Sequence, residues 1–262
     1  MQTNEIKRRG TAAPVFMQMV LIALFAALSF VAVMLIHIPY PAPVGQPFIH
    51  FGNMVTILAA LLIGGWQGGL SGSIGMGLYD IISGYGLGTI KTVILKFGIG
   101  LFTGLFARLG RRRPQANPRV GIAAAGGVSI ALGVFILAGK LLGWSVFKDA
   151  ADMAYIFLFI IGALLVVLAI AAFKTDKLTN ETLFAAIGAV AGIAFNVVGE
   201  FVGGTVMKMI AGFELPAAML ASFMSLPATF INGAASIVGA LVLYVPLKEA
   251  LRHAHFGNLI HA

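Results

Sequence analysis

The sequence predicts an all-α integral membrane protein of about eight spans, and three observations carry that prediction. Of its 262 residues 60% are hydrophobic and only 10% charged, whereas soluble domains carry roughly a quarter charged residues. Apolar runs near the length of about 20 residues that a helix needs to cross a bilayer recur along the chain. The basic residues gather between alternate runs, which is the pattern of a multi-span protein and not of a basic soluble surface. The absence of cysteine excludes a disulfide-stapled fold, a Cys-ligated metal site and a cysteine nucleophile.

Residues 1–16 form a basic N-terminus expected on the cytoplasmic side, holding Lys7, Arg8 and Arg9. The first span, 17–38, is too long for a signal-peptide core of about 7–15 apolar residues, and no small-x-small cleavage site follows it. Next comes a loop with four prolines in the nine residues 39–47. Proline fixes φ, so a stiff extended segment is expected, able to serve as a lid or as a plain connector.

Spans two and three, 52–66 and 68–83, are short and meet at Gly64, Gly65, Trp66, Gln67, Gly68 and Gly69. This reads as a tight helical hairpin or re-entrant bend, allowed at membrane depth only where protein covers the backbone. Span four runs over 89–109. An Arg/Pro linker, 111–120, separates this first block, 17–110, from a helix pair at 121–143 and 154–173. Spans seven and eight, 183–209 and 216–246, fall within 183–248 and precede a tail, 249–262.

Orientation follows the Lys and Arg positions. With the N-terminus inside, 12 of the 17 basic residues fall on cytoplasmic segments: Lys7, Arg8, Arg9, Arg108, Arg111, Arg112, Arg113, Arg119, Lys174, Lys177, Lys248 and Arg252. Both termini are therefore expected in the cytoplasm of a cell, bacterial by expectation. The net charge of +8 is then a record of topology, and no nucleic-acid partner is expected.

Close helix approach in lipid depends on small residues, because there is little hydrophobic force between helices there. Gly64, Gly68 and Gly72, Gly65 and Gly69, Gly100 and Gly104, Gly188 and Gly192, and Gly199 and Gly203 all have this spacing. Ala23 and Ala27 share it on the most uniformly apolar span, where a small stripe can serve a partner helix as well as an internal one.

Ionisable groups at membrane depth are costly and so are candidate sites. They are Asp80, Lys91, Lys96, Glu200 and Lys208, with Asn196 and Asn232 beside them. Asn196 and Glu200, four apart, share a helix face, while Lys91 and Lys96 stand about 140° apart, so at most one lysine need face the cavity of Glu200. The bland alternatives are mutual neutralisation, snorkelling of Lys91 and Lys208, and interhelical hydrogen bonds. Two deep lysines favour a carboxylate-bearing ligand unless Asp80 and Glu200 satisfy them. His37 and His50 are lone histidines, and His253, His255 and His261 lie in the tail, so no metal site is expected. No HExxH, Walker A or GxSxG motif occurs, so neither catalysis nor a cofactor is expected, and energy for transport must come from an ion gradient or another subunit.

Several segments together carry a resemblance. They are the Ala23-x-x-x-Ala27 helix, the Pro-rich loop entering Phe51, Gly52 and Asn53, the Gly64–Gly77 stretch ending in Tyr79 and Asp80, the Lys91–Gly104 helix, and the run from Leu226 to Gly233. In this order, over about residues 17–110 and 183–248, they resemble the substrate-binding S components of energy-coupling factor (ECF) vitamin transporters. That resemblance implies a six-helix core, here with the pair 121–173 inserted. It also implies capture of a vitamin-like substrate and toppling in the membrane, in complex with a transmembrane coupling subunit and two cytoplasmic ATPases. On the family pattern Ala23 and Ala27 meet the coupling subunit and residues 39–50 form the gate. Spans four, seven and eight line the pocket, giving His50, Asn53, Tyr79, Asp80, Lys91, Lys96, Asn196, Glu200 and Asn232 as substrate-binding candidates. Two readings compete: an ion-coupled secondary transporter using Asp80 or Glu200, and a membrane scaffold with no ligand.

Overall fold

In the computed structural model the described residues are 2–42, 44–45, 47–113, 116–143, 151–174 and 179–253. Pro43 of the proline-rich loop, Pro114 and Gln115 of the linker, Lys148, Lys177 and the tail from 254, with His255 and His261, lie outside them. So do the side chains of Lys7, Arg8, Arg9 and Arg252.

Eight helices are present among the described residues: α1 (Gln2–Leu35), α2 (Gly52–Ile63), α3 (Gly65–Ile82), α4 (Gly88–Arg112), α5 (Arg119–Leu141), α6 (Ala151–Lys174), α7 (Asn180–Ile210) and α8 (Leu215–His253). Two short strands, β1 (Ile38–Pro39) and β2 (Phe48–Ile49), separate α1 from α2. α1 begins well before the apolar span expected from residue 17, and α8 continues past 246. The reason is that a helix ends where its hydrogen bonding ends, not where its hydrophobicity does. Pro227 and Pro246 lie inside α8 without ending it, as membrane helices allow when neighbours re-satisfy the freed backbone groups.

Five of these helices are long and apolar enough to cross a membrane: α1 from Val15, α4, α5, α7 and α8 as far as Leu251. α2 is different. Its 12 residues rise only about 18 Å against a hydrocarbon core of about 30 Å, so it does not cross alone. It meets α3 at Gly64, whose φ of 108° belongs to the left-handed side that glycine alone adopts without strain. Nearly every α2 residue is buried, as expected of a helix apolar on all sides.

The chain divides into two compact units, one of Met1–Ala107 with Gly188–Ala262 and one of Arg108–Ile187. In the first, α3 is the hub, and its glycines explain how. A side chain at Gly68 or Gly72 would strike Ala60 or Thr56 of α2, one at Gly75 would strike the Ala26 carbonyl of α1, and one at Gly69 would strike Phe97 of α4. α3 thus touches three helices at backbone distance, each through a different glycine row. In the second unit α5 and α6 pair through Gly126 and Gly162, and Ser129 Oγ donates to the Leu158 carbonyl at 2.9 Å. Ile122, Ala169, Ala172 and Leu183 form the core of that unit.

Candidate functional site

The site lies in the first unit, where α4 and α7 run antiparallel in close contact. Gly188 and Gly192 fit against Thr103 and Ile99, Gly98 admits the Phe195 ring, and Gly199 admits Leu95. Near the hairpin end of this seam Gly203 leaves room for the stem of Lys91. The Lys91 ammonium crosses there to form an ion pair with Glu200. One and a half turns along α4, Lys96 Nζ donates to Asn196 Oδ1 at 2.8 Å. Lys96 is only 4% exposed and Asn196 1%.

Beside this seam is a cavity of about 250 Å³. α3 contributes Met76 and Asp80, α4 contributes Gly88, Lys91, Thr92 and Lys96, and α7 contributes Glu200, Gly204 and Lys208. α8 supplies Ser222, Ser225, Thr229 and Asn232, a polar stripe at i, i+3, i+7 and i+10 in the apolar first half of the helix. Lys208 Nζ donates to Ser222 Oγ at 3.1 Å. Asp80 and Thr92 face the same cavity from α3 and α4.

The proline-rich loop covers the cavity, with Val44, Gly45, Pro47, Phe48 and His50 lining it. It is a two-stranded antiparallel hairpin, with Ile38 opposite Ile49 and Pro39 opposite Phe48. The Tyr40 N–H donates to the Pro47 carbonyl at 2.8 Å. This corrects the expectation of a merely extended segment: prolines at the edge of a two-residue ladder leave enough donors to pair it. Two features hold the hairpin down. The Phe48 ring stacks on His37 with centroids 3.9 Å apart, beside Tyr79 and Tyr85, and Tyr79 Oη is hydrogen-bonded to His37 Nδ1 at 2.8 Å. The second is Asn232. Its Oδ1 accepts from the His50 N–H at 2.9 Å and its Nδ2 donates to the Phe48 carbonyl at 2.8 Å, so the carboxamide pairs with β2 much as a neighbouring strand would.

His50 is buried, and its Nδ1 accepts from the Gly52 N–H at 3.1 Å. Burial, followed by the positive charge of Lys96, pulls its pKa down to about 3. The ring is therefore neutral at ordinary pH, with its proton on Nε2.

Of the residues expected from sequence, His50, Asp80, Lys91, Lys96, Glu200 and Asn232 line the cavity. Asn196 stands behind Lys96, Tyr79 belongs to the aromatic cluster, and Asn53 is buried with no hydrogen-bond partner for its Oδ1. Both lysines of α4 reach the cavity, although their 140° separation suggested at most one. Lys91 does so because Gly203 lets its long stem lie across α7. Lys208, a candidate as an ionisable group at membrane depth, lines the cavity as well, whereas Tyr85 and the serines and threonine of α8 were not among the expected site residues, though the α8 stripe is visible as helical spacing. Ala23 and Ala27 are exposed on α1, while Ala26 and Ser29 face inward. Among the described residues no group of three His, Asp or Glu side chains is placed to hold a metal ion.

Comparison with known proteins gives a family. An uncharacterized protein in the gap 3' region of Pyrococcus woesei is 36% identical over 78 residues, which are 30% of this chain and 51% of that protein. The chain thus spans about half the length of that relative. No solved structure matches. The family model for the ECF-type riboflavin transporter S component matches residues 15–156, more than half of the 262 residues, and the chain belongs to that family.

Proposed function

We propose that this chain is the substrate-capturing subunit of an ATP-driven vitamin importer of the energy-coupling factor type. Beside family membership, the observation that carries the reading is the roofed cavity: polar groups of α3, α4, α7 and α8 converge under a hairpin fastened to α8 by Asn232. Such a site, apolar in most of its wall with a few convergent polar groups, is how proteins hold small molecules.

In this reading the hairpin faces outward and both termini are cytoplasmic, on the strength of the basic-residue bias. α5 and α6 are a pair added to a six-helix core. His50, Asp80, Lys91, Lys96 and Glu200 meet the substrate, Asn196 fixes Lys96, Asn232 fixes the gate, and Tyr79 and Asn53 support the elements around it. Ala23 and Ala27 offer a helix face without bulk on which a transmembrane coupling subunit can pack closely. The chain carries no nucleotide-binding motif, so two ATPase subunits supply the energy.

Reconstitution tests this. The purified chain is expected to bind ligand by itself, and vesicles are expected to take ligand up only when the coupling subunit, ATPases and ATP are present. Ala27→Trp should abolish uptake and leave binding within a factor of about two, because the residue is exposed. Gradient-driven uptake by the chain alone would overturn the assignment in favour of an ion-coupled carrier. Asp80, a buried carboxylate, would then be the first ion site to test.

A further inference from the structure

The charges around the cavity do not cancel, and the imbalance has a direction. Its wall holds Lys91, Lys96 and Lys208 against Asp80 and Glu200. Lys91 and Glu200 form an ion pair. The other three ions do not pair: among the described residues no partner of opposite charge lies within 4 Å of Asp80, Lys96 or Lys208. Lys96 is served by the Asn196 carboxamide and Lys208 by the Ser222 hydroxyl, both neutral groups. His50 adds no charge, since its Nδ1 accepts a backbone hydrogen bond. One positive charge is left over in a site of low dielectric.

Lys96 is where that excess is least solvated. Its residue is 4% exposed, against the part-buried setting of the Lys208–Ser222 bond. An ammonium has three N–H donors, and Asn196 takes one of them. Asn196 also fixes where the ammonium points, so the remaining donors are held toward the cavity at no further ordering cost. A buried, unpaired cation is costly, and an anionic ligand removes that cost when it binds.

Resting on the reading of this chain as a substrate-capturing subunit, we propose that the cavity takes a compact ligand with one net negative charge, a monocarboxylate lodged against the Lys96 ammonium. A cavity of about 250 Å³ falls just below the usual range for ligand pockets, about 300–1,000 Å³, which favours a small molecule. The proposal departs from the neutral flavin that the family's description names.

The test uses pairs of probes that differ in charge and little else. The full chain in lipid nanodiscs is titrated with nicotinate and nicotinamide, pantothenate and panthenol, and biotin and biotinamide, together with riboflavin. Native mass spectrometry of the protein purified without additions identifies any retained compound. The expected result is that a monocarboxylate binds or is retained and that its uncharged counterpart binds at least about 100-fold more weakly. Lys96→Met, which keeps an unbranched side chain one atom shorter and removes the charge, should weaken the anion by about the same factor, in line with truncation of one partner of a buried charged contact. A thermal melt confirms that the variant is folded, and the probe pairs give the answer without any variant. Tight binding of riboflavin or another uncharged compound, or an anion whose affinity Lys96→Met leaves within threefold, overturns the proposal and leaves the capture reading standing. Retention and binding of nothing at all overturns the capture reading, and this proposal with it.

Discussion

Asn232 is the residue whose replacement separates a latched gate from a passive connector. Asn232→Leu keeps much of the volume of the side chain and removes both hydrogen bonds to β2, those at 2.9 and 2.8 Å. The His50 N–H and Phe48 carbonyl then lose their partners in a buried setting. Each such loss costs about 1–3 kcal/mol, and because water reaches an opened hairpin the lower half of that range applies, giving about 2–4 kcal/mol for the pair. At 1.36 kcal/mol per tenfold, the open population of the hairpin should rise by about 30- to 900-fold. Hydrogen exchange on the peptide covering residues 47–50 reads this directly, and the off-rate of bound ligand should rise by a comparable factor. Ser225→Ala is the control for the exchange measurement, since the Ser225 hydroxyl lies on the same stripe but bonds back to the Ala221 carbonyl of its own helix. If Asn232→Leu left exchange at 47–50 and ligand release within a factor of two of the native chain, the aromatic cluster alone would be holding the hairpin, and the latch argument would fail.

Two further outcomes follow from the same geometry. His50 has a folded pKa of about 3 against 6.5 for the free side chain. A lowered histidine pKa stabilises the closed form above the unfolded value and loses that stabilisation as pH falls. Hairpin protection should therefore be flat above about pH 6.5 and decline toward tenfold per unit between there and about pH 3, with His50→Gln removing the dependence. Exchange rates at pH 5 and 7 in both proteins check this. In the α3–α4 contact a side chain at Gly100 would fall on the Gly69 backbone. Gly100→Ala should therefore cost about 1–3 kcal/mol by forcing the helices apart, whereas Gly121→Ala, with nothing within 4 Å, should be neutral or slightly stabilising in a thermal melt.

The helices were legible because membrane insertion writes them in a simple alphabet of apolar run and polar break. The run expected at 89–109 is α4 at Gly88–Arg112, and that expected at 183–209 is α7 at Asn180–Ile210. The bend at Gly64 was legible for a related reason, since a glycine pair between two apolar segments too short to span leaves few other arrangements. The hairpin was not. Prolines report that a segment is stiff, and pairing of Pro39 with Phe48 depends on a loop closure that no local propensity encodes.

The register between helices was the other illegible quantity, and the site depends on it. Helical geometry correctly places Lys91 and Lys96 about 140° apart, yet the direction of a Cα–Cβ bond does not say where a four-carbon stem ends. That is decided by Gly203 on a helix more than 100 residues away in sequence, whose missing side chain opens the path to Glu200. Asn232 makes the same point from the other side. Its depth in an apolar helix marks it as a polar residue with a task, and a ligand contact, a helix–helix bond and a latch would all leave that same mark. Only the meeting of its carboxamide with the two backbone groups that flank Ile49 distinguishes them. The polar residues of a membrane site can therefore be named from sequence, while their division into those that line the cavity, such as Lys96, and those that hold other elements, such as Asn232, requires the packing between helices.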